Sequence, residues 1–217
     1  MNEAVEDEWI TINPATRHGK AFKNTPDFRE EIDPFTRDEV ALLLETMRDH
    51  FGFENYVLLL SLFHCGMRAG EAAGLYWSDF DIRNKTLIVR RQFTRGRKGK
   101  PKTRKSRSVD VSTILLGELQ TLKKARQLEW LALGKNEIPD EIFLSPGDIV
   151  WSEGKEVGRT NRNHLDMDAW RNRVFWRCCD KAKIRRRRVH DTRHTYASLL
   201  LSNGEPLKSA LNSVMRR

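Results

Sequence analysis

Gly66-Met67-Arg68-Ala69-Gly70-Glu71-Ala72-Ala73-Gly74-Leu75-Tyr76-Trp77-Ser78-Asp79 lies between an apolar segment, Tyr56 to Cys65, and a long basic run. Gly66 reads as the stop of the apolar helix, because a helix end favours a residue that tolerates the left-handed conformation. A short second helix is then expected from about Arg68 to Leu75. Arg68 therefore stands beside helix-terminal amides, which attract anions. Its guanidinium stays charged and presents a fixed fork that meets two phosphate oxygens at once. Glu71, three residues on, is spaced to orient that guanidinium from the same helix face. A second stretch, His190-Asp191-Thr192-Arg193-His194-Thr195, opens the last helical segment. His190 and Arg193 share one face there, so a single phosphate fits between a titratable imidazole and a guanidinium.

Composition points to the same kind of partner. The chain has 217 residues, with 39 Lys and Arg against 30 Asp and Glu and a formal charge of +9. The length suits one domain or slightly more. From Ile82 to Val109 there are twelve basic residues and no acidic one. A second basic block runs from Arg171 to Arg188, broken only by Asp180. Clustered positive charge is what a polyanionic partner requires. No apolar run is long enough to span a bilayer, and the acidic start, Met1 to Glu8, is unlike a signal peptide. A cytoplasmic protein is expected. Three cysteines, Cys65, Cys178 and Cys179, make no disulfide framework, and no zinc-ligand spacing occurs. Cys178 and Cys179 are expected to pack as small reduced apolar residues on a helix.

The expected elements are mostly helical. Residues 1–33 read as a polar lead-in. Thr36-Arg37-Asp38-Glu39 is a capping box, with Phe35 and Val40 placed for a hydrophobic staple. Thr86 to Val89 and Val109 to Val111 read as strands of one small antiparallel sheet with a mobile basic tip between them. Ser112 starts a long amphipathic helix carrying Leu115, Leu119 and Leu122 and closed by Gly134. Residues 135–162 read as loop. Asn163 is expected to cap a helix with Leu165, Ala169, Val174 and Cys178. The final helix runs from near Asp191 to before Gly204.

The string from Gly66 to Asp79 and the string from His190 to Gly204 together resemble the two motif boxes of the tyrosine recombinases, the phage integrase family, over roughly residues 9–208. The resemblance implies an α+β, mainly helical catalytic domain over 34–217, with 1–33 as the remnant of an N-terminal DNA-clamping domain and its linker. It implies site-specific recombination of double-stranded DNA through a 3′-phosphotyrosine bond, with no metal and no nucleotide cofactor. Arg68, His190 and Arg193 match the family's catalytic arginines and histidine, and Glu71 the acidic residue that braces the first arginine. Lys102, in Pro101-Lys102-Thr103, matches the lysine on the turn between strands that protonates the leaving 5′ oxygen. Arg95, Arg97, Lys98, Lys100, Arg104 and Lys105 are expected to contact DNA phosphates. A homo-oligomer on the DNA is left open.

The pattern departs after Gly204. The family continues to a Gly-His box and a nucleophilic tyrosine, whereas this sequence has no tyrosine after Tyr196. Tyr56 and Tyr76 read as core residues, and Tyr196 as a packing aromatic of the second box. The expectation is a domain truncated before its nucleophile and defective in cleavage. The alternative is a non-catalytic DNA-binding protein descended from a decayed prophage integrase. A basic RNA-binding or scaffold protein is the third reading, and it requires Arg68, Lys102, His190 and Arg193 to lie apart.

Overall fold

A computed structural model describes residues 32–94, 97–99, 106–152 and 155–202. Nearly all of the lead-in, the tip of the basic run and everything beyond Ser202 lie outside these residues.

Helix α1 (Arg37–Phe51) begins as its sequence dictates. The Thr36 hydroxyl accepts from the Glu39 amide, and the Glu39 carboxylate accepts from the Thr36 amide. Two amides that would otherwise be orphaned are thereby satisfied. Phe35 is buried edge-on against Phe63 and Phe175. Helix α2 (Phe53–Cys65) is buried over nearly its whole length, because its apolar residues leave no polar face. It ends at Gly66, which adopts φ 54° and ψ 32°, the left-handed geometry expected of a helix-stopping glycine. A short helix, α3 (Ala69–Ala73), follows at once.

The expected single sheet is three small antiparallel sheets among the described residues. Strand β2 (Thr86–Val89) pairs with β1 (Phe80–Asp81) and with β5 (Arg107–Asp110), with Leu87 opposite Val109. Strands β3 (Gln92–Thr94) and β4 (Arg97–Gly99) form a separate hairpin inside the basic run. Helix α4 (Thr113–Ala132) starts at Ser112, whose hydroxyl accepts from the Leu115 amide.

Two expectations are corrected. The 135–162 segment contains a hairpin, β6 (Asp148–Ser152) with β7 (Lys155–Thr160), where the sequence reads as loop. Tertiary contact sustains it. Gly158 lets β7 lie against Glu129 of α4 and its C-cap residue Leu133, where a Cβ would come within 2.9 Å of Glu129 Cγ. The Arg159 amide also donates to Glu129. The next helix is capped by Asp166, not Asn163. The Asp166 carboxylate accepts from the Asp168 and Ala169 amides, while Asn163 is engaged with Ser145. That helix runs as α5 (Met167–Trp170), a π turn (Arg171–Phe175) and α6 (Trp176–Lys181). Cys178 and Cys179 are buried, unbridged and packed as apolar residues.

The last described helix, α7 (Asp191–Ser202), packs on α2. Thr195 of α7 accepts from the Phe35 amide at 2.8 Å. Both motif strings are thus brought against the buried α2. Among the described residues, no helix is long and apolar enough to cross a membrane.

Candidate phosphate-binding site

The corner between α2 and α3 is the base of the site. Arg68 is the N-cap residue of α3, and its backbone amide donates to Glu71 Oε2 at 2.9 Å. The Arg68 Nη1 donates to Glu71 Oε1 at 3.1 Å, so the brace expected from their spacing forms. Glu71 is fully buried. Arg107 of β5 meets the same carboxylate with both arms of its fork, Nη1 to Oε1 at 2.8 Å and Nη2 to Oε2 at 2.7 Å. Burial alone would raise the Glu71 pKa, but the hydrogen bonds and charges of Arg107 and Arg68 hold it below the usual carboxylate range.

The second string closes on this corner. Arg193 of α7 is 3% exposed, and its Nη1 donates to the Gly66 carbonyl. Its pKa is lowered to about 10, first by burial and then by the positive charges of Arg68 and Arg107. Those interactions place three guanidinium groups within electrostatic reach of one another. Glu71 is the carboxylate that opposes them at Arg193. Among the described residues, these three guanidinium groups and one carboxylate leave a net charge of two positive units, and an anion is the species such a site attracts.

His190 immediately precedes α7 and is solvent-exposed at its surface. The covered part of its ring, then His194, Arg193 and Arg68, lower its pKa and favour the neutral imidazole. The His190 and His194 rings meet edge-on at 5.0 Å. Asp191 fixes the turn that presents them, accepting from the Arg188 backbone and guanidinium. Arg68, Glu71, His190 and Arg193 thus form one cluster, which the third sequence reading does not allow.

The basic hairpin stands beside this cluster. Gly70 of α3 lies so close to β3 that a Cβ would meet Thr94 Oγ1 at 2.7 Å and the Phe93 carbonyl at 3.0 Å. Tyr76 is half-buried between two cations instead of being core, with Arg91 at 4.0 Å and Lys98 at 4.5 Å from its ring centre. Arg91 is held in turn by Asp79. Lys98 and Arg97 are exposed on β4. Lys102, Arg95, Lys100, Arg104 and Lys105 lie outside the described residues.

Two inward-facing arginines, one part-buried and one buried, escaped the sequence reading. Arg107 is hidden in a run that reads as a solvated basic loop, yet it is two residues before the buried Val109 and so shares the inward face of β5. Arg126 continues the Leu115, Leu119, Leu122 spacing on α4. It is 2% exposed and donates to the carbonyls of Glu141 and Ile142, with Glu54 2.8 Å away. A cavity of about 860 Å³ lies by Glu54, Arg162 and Trp170 and is lined by none of the clustered site residues. Among the described residues no group of three or more His, Cys, Asp or Glu side chains is arranged to hold a metal ion.

Comparison with known proteins agrees with the geometry. The profile described as "Phage integrase family" matches residues 34–212. A tyrosine recombinase XerC-like protein of Caldanaerobacter subterraneus subsp. tengcongensis is 28% identical, covering 96% of this chain and 54% of its own length. The prophage integrase IntR of Escherichia coli K12 is 27% identical, covering 93% of this chain and 47% of its own. This chain spans about half the length of those relatives. A structure of the Tn1549 transposon integrase in complex with a circular intermediate DNA superposes with a TM-score of 0.68, at 19% identity, over 98% of this chain and 66% of that one. The XerA recombinase gives a TM-score of 0.62 at 21% identity, covering 85% and 56% of the respective chains. These likenesses establish the α+β catalytic-domain fold of the tyrosine recombinases.

Proposed function

We propose that this chain, which belongs to the phage integrase family, binds double-stranded DNA in the cytoplasm and serves as the catalytic domain of a site-specific recombinase. The observation that carries this reading is the excess positive charge around Glu71, where Arg68, Arg107 and Arg193 face one carboxylate. Arg68 and Arg193 are the ligands for the non-bridging oxygens of a scissile phosphate. Charge that develops on those oxygens during displacement is met by donors already in place. His190, neutral near pH 7, accepts or donates a proton at the edge of the same phosphate.

Lys102 is assigned the proton transfer to the leaving 5′ oxygen, and Arg95, Arg97, Lys98, Lys100, Arg104 and Lys105 are assigned to flanking phosphates. In the complete reaction a tyrosine oxygen bonds to phosphorus, the bond to the 5′ oxygen breaks, and that oxygen takes a proton. Residues 1–33 are assigned to the lead-in from a clamping domain, and 34–217 to the catalytic domain. Tyr56 and Tyr76 are engaged with other residues, and Tyr196, beside Arg193 and Gly66, is assigned a packing role. Tyr56 bonds to Arg48 and Glu118, Tyr76 is held between Arg91 and Lys98, and the Tyr196 ring covers Gly66. The 217-residue chain by itself is therefore assigned DNA binding without strand cleavage.

A suicide-substrate duplex tests both parts. The expected result is a retarded complex that weakens steeply with salt and leaves no covalent adduct after denaturation. An adduct on Tyr196 overturns the cleavage-defective assignment, and absence of any DNA binding overturns the function.

A further inference from the structure

We infer that Arg107 is a positioning residue of the phosphate site, acting through Glu71 to keep the charge of Arg68 available for DNA. The inference rests on the assignment of Arg68 as a phosphate ligand and concerns what keeps it competent. Glu71 is fully buried and must be neutralised locally. Arg68 could do this alone, but a guanidinium spent on a buried carboxylate has little charge left for a phosphate. Arg107 removes that conflict. Its side chain is 10% exposed, and it takes both Glu71 oxygens in a two-armed pair at 2.8 and 2.7 Å. Arg68, 25% exposed, gives Glu71 only one side-chain donor, at 3.1 Å. Glu71 thus orients Arg68 through one side-chain donor without cancelling it.

Strand geometry supports the assignment. Arg107 is on β5, opposite Val89 of β2, so its guanidinium is delivered from a paired strand and not from a loop. The pair joins three segments, α3, β5 and, through the charge of Arg193, α7. Loss of the Arg107 charge lets Glu71 draw in Arg68 completely, and the site loses one phosphate contact.

The test measures duplex DNA affinity of the full chain against salt concentration. Arg107→Gln retains a donor toward Glu71 but removes the charge, and its log–log salt slope is expected to fall by about 0.9, one phosphate contact. Arg107→Lys retains the charge and is expected to keep the wild-type slope. Adding Glu71→Gln to Arg107→Gln leaves Arg68 without a captor, and the lost contact is expected to return. A purely structural Arg107 instead lowers stability while leaving the slope of every folded variant unchanged, and that result overturns the inference. Arg68→Gln in the wild-type background separates the two levels. If it lowers the slope by about one contact and Arg107→Gln does not, Arg107 is no positioning residue. If Arg68→Gln leaves the slope unchanged, the phosphate assignment of Arg68 fails first and this inference with it. Circular dichroism identifies folded variants, and if Arg107→Gln unfolds at 25 °C its slope is read at lower temperature in a stabilising osmolyte, where a wild-type slope overturns the inference.

Discussion

Gly66→Ala tests the corner on which both motif strings meet. Two separate costs apply. Gly66 has φ 54° and ψ 32°, and an L-residue with a Cβ loses about 1–2 kcal/mol in that conformation. A Cβ there would also lie 2.2 Å from Tyr196 Cδ1, 2.8 Å from Cε1 and 2.9 Å from Cγ. These are far inside van der Waals contact, so the ring must move. Overpacking of this kind costs about 1–3 kcal/mol. The sum is about 2–5 kcal/mol, or on the order of 4–20 °C in Tm for a domain of this size. Urea denaturation of Gly66→Ala, Tyr196→Ala and the double variant separates the two parts. In the Tyr196→Ala background the glycine substitution should cost only the backbone part, about 1–2 kcal/mol, leaving a coupling of about 1–3 kcal/mol between the two sites. DNA affinity should fall in Gly66→Ala as well, because the displaced ring disturbs the carbonyl that receives Arg193. An equal cost in both backgrounds would refute the steric argument, and no cost in either would refute the backbone argument too.

Glu71→Ala strands the part-buried Arg107 charge beside Arg68 and Arg193. A loss of about 3–5 kcal/mol is expected in denaturant melts, and a loss under 1 kcal/mol would show the ion cluster to be dispensable for folding. Gly70→Ala pushes on Thr94 and the Phe93 carbonyl, and an overpacking cost of about 1–3 kcal/mol is expected, with weaker DNA binding as the β3–β4 hairpin shifts. Unchanged DNA affinity in a variant that is measurably destabilised would separate the hairpin from the binding surface. The pKa values of His64, His190 and His194 are all lowered, in each case first by burial. The unfolded chain therefore binds more protons just below pH 6.5, so stability is complete above that pH and is lost as pH falls through the lowered values. Melting temperature should decline from pH 7 toward pH 5.5, before the carboxylates Asp33, Glu39 and Glu71 titrate at lower pH. His64→Gln, which removes a ring bonded to Ser112, should flatten that decline, and a flat wild-type profile would rule the histidines out.

Local signals carried the helical frame and the two motif strings. The Thr36 capping box, the Gly66 stop and the Ser112 start each depend on chemistry within four residues, so they are legible without knowledge of the rest of the chain. The Arg68–Glu71 brace is legible for the same reason. The polyanionic class of the proposed ligand was also suggested by sequence, because clustered basic charge suits a polyanion wherever it folds.

What required the tertiary structure depends on residues far apart in the chain. The β6–β7 hairpin exists because Gly158 admits α4, a contact between residues that no local pattern links. Tyr76 leaves the core because Arg91, just before the β3–β4 hairpin, and Lys98, within it, reach its ring. Arg107 and Glu71 are 36 residues apart, and Arg193 and Gly66 are 127 apart. In a linear reading a buried arginine and a solvated one look alike. Which of the two it becomes is decided by whether folding brings a carboxylate or carbonyl to compensate its loss of water.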